Sequence, residues 1–404
     1  INLTMPEWWQ DEFDRLPTVF QTVEERMREV IRFSRKNVEQ QSGGPFAAGI
    51  FERDSGKLIT IFLRGGADGV STVIPNDTSL PMMRGAIQIA NPLSMASGPG
   101  GSTFAMLNPD YVELMPLHQA GRAAWIHQCG NPAGTKSHFV EQDFYETTQV
   151  NGREGFLSRL SDQVSPPAGS LWGISASQSF QRMFRSDDPD KLLVHLQSKV
   201  GYPVGGISPN PIQLGQRMRD GMDFLEVFQP PAASGSTAAI AQAHIKRFRD
   251  TEGAVHQVTV SPNEALFPRD VTSTHAAQML AGLPPVTAEK YQGIASFMER
   301  GEEAANLLSQ APGCRVVGIE LGGWDTHADQ LAERRLLDRA LSRMIVSLQN
   351  FCDGCTVLVV TEFGRTNRSN SSDGTDHGIG GLMMLFGSRV NGGVYNCRSG
   401  TGLG

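Results

Sequence analysis

The side chains of this chain that could do chemistry are acids, imidazoles and hydroxyls, and each group sits at or near one end of a short apolar run. Asp68 follows the run at 57–63 and a Gly-Gly pair. Thr135, Lys136, Ser137 and His138 follow the run at 122–128. Glu320 lies inside the run at 315–321, and Asp325 and His327 come after it. Glu362 and Arg365 follow 356–360, while Asp376 and His377 precede 382–386. Carboxylates gathered in one dry site repel one another unless a cation neutralises them. Asp, Glu and His together suit Zn²⁺, Mn²⁺ or Mg²⁺ better than a soft, thiol-bound metal. Two such ions would polarise a phosphoryl or sulfuryl oxygen and activate a hydroxyl nucleophile.

Each residue has a plainer reading beside the chemical one. An Asp after Gly-Gly is commonly a turn residue. Ser137, ahead of an apolar helix, is a natural N-cap. Asp325 can cap the helix that follows it, whereas His327 has no structural duty visible in the sequence. Glu362, directly after an apolar strand, is costly to bury alone, so a cation or Arg365 is expected beside it. His118, His195, His244, His256 and His275 have no such companions and read as ordinary core or surface histidines.

The elements that must position these groups follow from the hydrophobic pattern. The apolar runs are continuous rather than alternating, as expected of strands buried on both faces. Helices are expected at 137–145, 291–308 and 329–351, the last carrying Leu337, Leu341, Met344, Leu348 and Phe351 on one face. Alternating helix and buried strand predicts an α/β fold with a mostly parallel central sheet and helices on both faces. Ligands then bind beyond the carboxyl ends of the strands. Residues 51–404 are expected to form this domain. Within it, 165–290 is rich in Pro, Gly, Ser and Gln, with short helical pieces at 213–227 and 238–248, and reads as an inserted cap or lid outside the sheet. Residues 1–50 read as an N-terminal helical extension. Its stripe of Val19, Val23, Met27, Val30 and Ile31 offers a face for its own domain or for a protein partner.

Composition narrows the function. The 404 residues carry a net charge of -7 without long basic runs, which argues against a nucleic-acid partner held by counterion release. No apolar stretch reaches the length of a membrane span. The chain starts at Ile1 with no charged-then-apolar leader, so a secretory signal is expected to be absent or already removed. Of the five cysteines, Cys352 and Cys355 form a CxxC pair with no second pair to complete a zinc knuckle. Their place between a helix and a strand suits a structural or incidental role, with a small loop disulfide if the protein is exported, and a redox role is the alternative.

Five segments carry a family resemblance: FLRGGADG (62–69), SHFVEQDFYET (137–147), GWDTHADQ (323–330), TEFGR (361–365) and GTDHGIGG (374–381). In this order and spacing they resemble the domain of unknown function 1501 family, usually placed in the alkaline-phosphatase and sulfatase superfamily. The resemblance runs over 57–393 and implies an alkaline-phosphatase-like α/β fold. It implies that Asp68, Glu320, Asp325, His327, Glu362 and His377 hold one or two divalent ions, zinc foremost and Mg²⁺ or Mn²⁺ otherwise. Ser137 stands where the nucleophile of the superfamily is expected, with Thr135 the other nearby hydroxyl, and Lys136 or Arg365 would bind the anion. Phe363 stands where the superfamily has a histidine ligand, which implies a second metal site that is weakened, or completed by His138 or Asp376. Asn108 stands where the family often has histidine. The function implied is hydrolysis of an anionic small-molecule phosphate or sulfate ester by a periplasmic or secreted enzyme. Two other readings share this site: a secreted structural or interaction protein without turnover, and a phosphotransferase of the mutase type.

Overall fold

The computed structural model describes residues 56–149, 151–164, 171–186, 188, 191–196, 258–311, 313–352 and 354–397, together with Glu29 and Arg32. Eleven strands run in chain order: β1 Lys57–Leu63, β2 Val73–Pro75, β3 Leu93–Ser94, β4 Ala105–Leu107, β5 Ala123–Cys129, β6 Leu171–Ser175, β7 Leu192–His195, β8 Val316–Leu321, β9 Cys355–Thr361, β10 Gly381–Phe386 and β11 Gly393–Tyr395. Eight of them form one sheet in the order β11-β5-β10-β9-β1-β8-β6-β7, and β2, β4 and β3 form a small second sheet. All pairings in the large sheet are parallel except those of β10, which is antiparallel to both β9 and β5. The fold is therefore α/β with a large, mostly parallel sheet.

The continuous apolar strands are explained by cover on both faces. In β1, Ile59, Ile61 and Leu63 point into a core shared with helices Ala288–Gln310 and Gln330–Phe351. Phe62 points the other way, into a core of Leu157, Trp172, Met183, Phe184 and Val360, with Leu58 and Tyr145 packed against it. Helices His138–Thr147 and Phe156–Val164 supply that second side. Side chains of Ser273 and Thr287 cap the helices Thr274–Leu280 and Ala288–Gln310 by accepting from backbone N–H groups two to three residues into the helix. No helix among the described residues is long and apolar enough to cross a membrane.

The expected cap at 165–290 needs correction. β6 and β7 fall inside it, yet β6 pairs in parallel with β8 and β7 continues the sheet. Leu171 and Ile174 are buried in the main core, and so are Phe267 and Met279, the latter on a helix that lies against Gln330–Phe351. The Pro- and Gly-rich composition hid two strands of four and five residues that are too short to show a period. The helical pieces expected at 213–227 and 238–248 lie outside the described residues. So does most of the N-terminal extension, where Glu29 and Arg32 are helical and form an ion pair at 2.5 Å. The five cysteines are buried thiols, and Cys352 and Cys355 close the turn into β9.

Candidate metal centre

Strand register brings four loops to one edge of the sheet. Leu63 at the end of β1 lies opposite Leu321 of β8 and Thr361 of β9, so the loops that follow these three strands leave side by side. Because β10 runs in the opposite direction, its start at Gly381 meets the end of β5 at Cys129. The segment before β10 and the segment after β5 therefore reach the same edge. Two glycines allow the loops to touch. A Cβ on Gly65, at φ 122°, would fall 2.4 Å from the backbone N of Asp325, and one on Gly66, at φ 71°, would fall 2.3 Å from the Phe363 ring. Arg365 and His377 are joined as an isolated antiparallel bridge.

At this edge His138, Asp325 and His377 each offer a ligand atom within 4.8 Å of the others, the one such group of three among the described residues. His377 Nδ1 lies 2.7 Å from the backbone carbonyl of Lys136. A carbonyl can only accept, so Nδ1 carries the proton and, in the neutral ring, Nε2 presents its lone pair. That Nε2 lies 3.2 Å from Asp325 Oδ1 and 3.0 Å from His327 Nε2. His327 Nε2 is itself 3.0 Å from Asp325 Oδ1. His138 Nδ1 donates to Glu362 Oε1 at 2.8 Å. Its Nε2 comes to 3.3 Å from Asp325 Oδ2 yet makes no hydrogen bond.

Nε2 of His138, His327 and His377 thus all face the one Asp325 carboxylate, at 3.0 to 3.3 Å. Neutral rings in this arrangement repel each other, and a cation relieves the repulsion. The His138 and His377 distances to Asp325, 3.3 and 3.2 Å, suit one, since tetrahedral ligands about 2.0–2.1 Å from a zinc ion stand roughly 3.3 Å apart. Nitrogen and carboxylate donors match Zn²⁺ or another divalent first-row ion. His138, Asp325 and His377 would hold it, with His327 beside them.

Glu362 supports the centre from behind. It is buried, and its Oε1 accepts from Gly65 N at 2.9 Å and Gln142 Nε2 at 2.9 Å as well as from His138. Burial pushes its carboxyl up, but the bonds from His138 and Gln142 outweigh that and hold it below its ordinary range. Oε2 accepts from Thr361 Oγ1 at 3.1 Å, so Glu362, expected as a ligand, stands behind His138 and outside the converging group of three. Such a histidine–carboxylate pair fixes the tautomer and ring angle of the ligand. Glu362→Gln is therefore expected to weaken Zn²⁺ binding about tenfold, measured by competition with a chromophoric chelator. Unchanged affinity would show that His138 is not a ligand.

Of three further residues expected at the centre, Asp68 and Glu320 are paired with arginines elsewhere and Arg365 is built into its wall. Asp68 is 2% exposed and receives Arg84 Nη1 at 2.5 Å, Gln330 Nε2 at 2.7 Å and Ser71 Oγ at 2.6 Å. It also accepts from the backbone N–H groups of Val70 and Ser71. Burial raises its pKa, but Arg84 and Arg334 more than reverse this and hold it far below the carboxylate range. Its charge is already matched by arginine. Glu320 lies 3.0 Å from Arg64 Nε, and the same guanidinium reaches the buried Glu146 at 2.5 Å. Arg365 is buried and donates to the carbonyls of Gly65, Gly66, Trp324 and Thr375 and to Asp325 Oδ1. Its Nη1 also comes to 3.5 Å from His327 Nε2, so it is a scaffold cation beside Asp325 and His327.

The remaining expected residues line the rim. Ser137 precedes helix His138–Thr147, but its hydroxyl makes no cap hydrogen bond. It stands between Lys136, whose carbonyl holds His377, and His138. Thr135 is engaged instead: its N–H and hydroxyl both go to Glu141 Oε1, at 2.7 and 3.1 Å. Lys136 is exposed, at φ 61°. Asp376 approaches His327 Nδ1 at 3.6 Å. Phe363 is buried, with its ring 4.8 Å from that of His138 and 4.6 Å from that of His377, and walls the centre with apolar surface. Asn108 bonds Asp338 and Ser71, away from these histidines. Gln142, which helps hold Glu362, drew no attention in the sequence, since its signal is only one helical turn from His138 on the same face.

No curated protein matches the chain. The family model described as "Protein of unknown function (DUF1501)" matches residues 130–399, a stretch that includes every residue of the histidine centre and leaves out Asp68. Since the match spans more than half of the 404 residues, the chain belongs to the DUF1501 family.

Proposed function

We propose that this protein is a metal-dependent hydrolase of phosphate or sulfate esters, a member of the alkaline-phosphatase and sulfatase superfamily with one metal ion at His138, Asp325 and His377. The observation that carries the reading is the inward convergence of imidazole nitrogens on the Asp325 carboxylate at the carboxyl edge of a parallel sheet. A divalent cation bound there would polarise the ester's oxygen and make an attacking hydroxyl acidic. Asp325 and the histidines hold that charge in place, and Arg365 fixes the Asp325 carboxylate from the buried side. Ser137 is the candidate nucleophile, because its hydroxyl is not used as a cap and the residues on either side of it touch the centre. Lys136, exposed beside it, is the candidate group for the substrate anion. Export to the periplasm or cell surface enters the proposal from the family resemblance alone.

The test is metal analysis of the purified chain with a screen of aryl phosphates and aryl sulfates. One zinc per chain is expected, with hydrolysis that a chelator removes and added zinc restores. Ser137→Ala is expected to lower kcat at least about 100-fold with metal content unchanged. It should cost little stability, because no cap is lost, against about 1 kcal/mol for a working N-cap. Full activity in Ser137→Ala would hand the attack to water. The rival reading, a structural or interaction protein without turnover, is favoured by Phe363 and by the commitment of Asp68, Glu320 and Arg365 to other partners. Zinc binding with no hydrolysis of any ester in the screen would support it.

A further inference from the structure

Gln330 closes the stretch 323–330 that carries Asp325 and His327, and it begins the helix Gln330–Phe351. Its side chain is fully buried and touches none of the candidate ligands. Its Oε1 accepts from Thr326 Oγ1 at 3.1 Å and from Thr375 Oγ1 at 2.6 Å. Thr326 lies between Asp325 and His327, and Thr375 lies two residues before His377. One carbonyl oxygen therefore ties together two ligand-bearing loops that enter from different strands. The other end of the amide is anchored, since Nε2 donates to Asp68 Oδ2 at 2.7 Å. The orientation of the amide follows from its partners, because a carboxylate can only accept. The backbone strengthens the same junction. Thr375 N donates to Thr326 O at 3.2 Å, and Gln330 N to Asp373 O at 2.9 Å.

We propose that Gln330 is a positioning residue for the metal centre, setting the separation of Asp325 and His377 through the hydroxyls of Thr326 and Thr375. The proposal rests on the metal reading above. Glutamine suits the place because it donates at one end and accepts twice at the other. Glutamate would set a second carboxylate against Asp68, and methionine or leucine would leave both hydroxyls without their acceptor. The buried arginine pair around Asp68 makes the anchor rigid, so the loops take their spacing from the folded core and not from the ion.

The experiment measures Zn²⁺ affinity and the visible spectrum of the Co²⁺ form for the full chain and for T326V, T375V, T326V/T375V and Q330M. Metal-free melting temperature is recorded alongside. The double threonine variant is expected to lose at least about tenfold in zinc affinity, as partners behind a ligand commonly command, and to shift the Co²⁺ bands. Adding Q330M to that double variant should change affinity little further, because the same link is already cut. If Q330M does not fold, the near-isosteric threonine variants decide the matter. Lower melting temperatures with unchanged zinc affinity and unchanged Co²⁺ bands would reduce Gln330 to a structural residue and overturn the proposal. A native chain that binds neither metal would overturn the metal reading itself, and the proposal with it.

Discussion

Replacing His377 by alanine is expected to lower Zn²⁺ affinity by more than about 100-fold, beyond the 10–100-fold typical of groups behind a ligand. Asp325→Asn should do the same. Both side chains supply atoms to the converging group. The only hydrogen bond from His377 that does not point at the centre is the one to the Lys136 carbonyl, worth about 1 kcal/mol. Metal-free stability should therefore move by no more than about that amount. Asp325 differs in one respect. Its loss strands the charge of Arg365, but that guanidinium keeps four backbone carbonyls as partners. Chelator competition reads the affinity, and thermal unfolding in a strong chelator reads the stability. Zinc held as tightly by His377→Ala as by the native chain would remove the site.

Much of the fold was legible because burial on both faces leaves a plain mark. The runs at 58–63, 122–128, 315–321, 356–360 and 382–386 match β1, β5, β8, β9 and β10 to within a residue or so at each end. The helices expected at 291–308 and 329–351 are Ala288–Gln310 and Gln330–Phe351, the second legible from its apolar stripe. What was not legible is pairing. Nothing in the run 382–386 says that it enters the sheet reversed, and nothing in Leu171–Ser175 says that β8 will accept it as a neighbour. The same limit shaped the site. His327 stands out because the sequence offers it no structural duty, whereas Asp325 has a simpler reading as a helix cap. His138 was weighed only as a substitute for a missing ligand, since its partner Glu362 lies 224 residues away. Asp68 and Glu362 follow strands, and Glu320 lies one residue before the end of β8, as metal ligands do. A carboxylate in that position looks the same in sequence whether a cation or a guanidinium awaits it.

Asp68 provides the sharpest contrast, and Asp68→Asn the second large effect. The side chain sits in a buried lattice in which Arg84 and Arg334 face Asp68, while Arg334 also grips Asp338 at 2.7 Å and Tyr111 donates to Asp338 at 2.8 Å. Removing one charge from such a lattice leaves buried guanidinium charge without its partner, a loss of about 3–5 kcal/mol. Zinc stoichiometry, measured below the unfolding transition, should stay at the native value, whereas a ligand's loss would abolish it. The pH dependence separates the two roles again. The folded-state pKa of Asp68 is depressed, so its contribution to stability is complete above the unfolded carboxylate range and fades as pH falls through the folded value. The stability gap between native chain and Asp68→Asn should accordingly be constant from neutral pH down to roughly pH 4, the unfolded aspartate range, and narrow below it. Denaturant unfolding across that span, in the presence of a chelator, measures the gap free of metal linkage. A gap that appears only when zinc is present would return Asp68 to the metal and undo its assignment to the arginines.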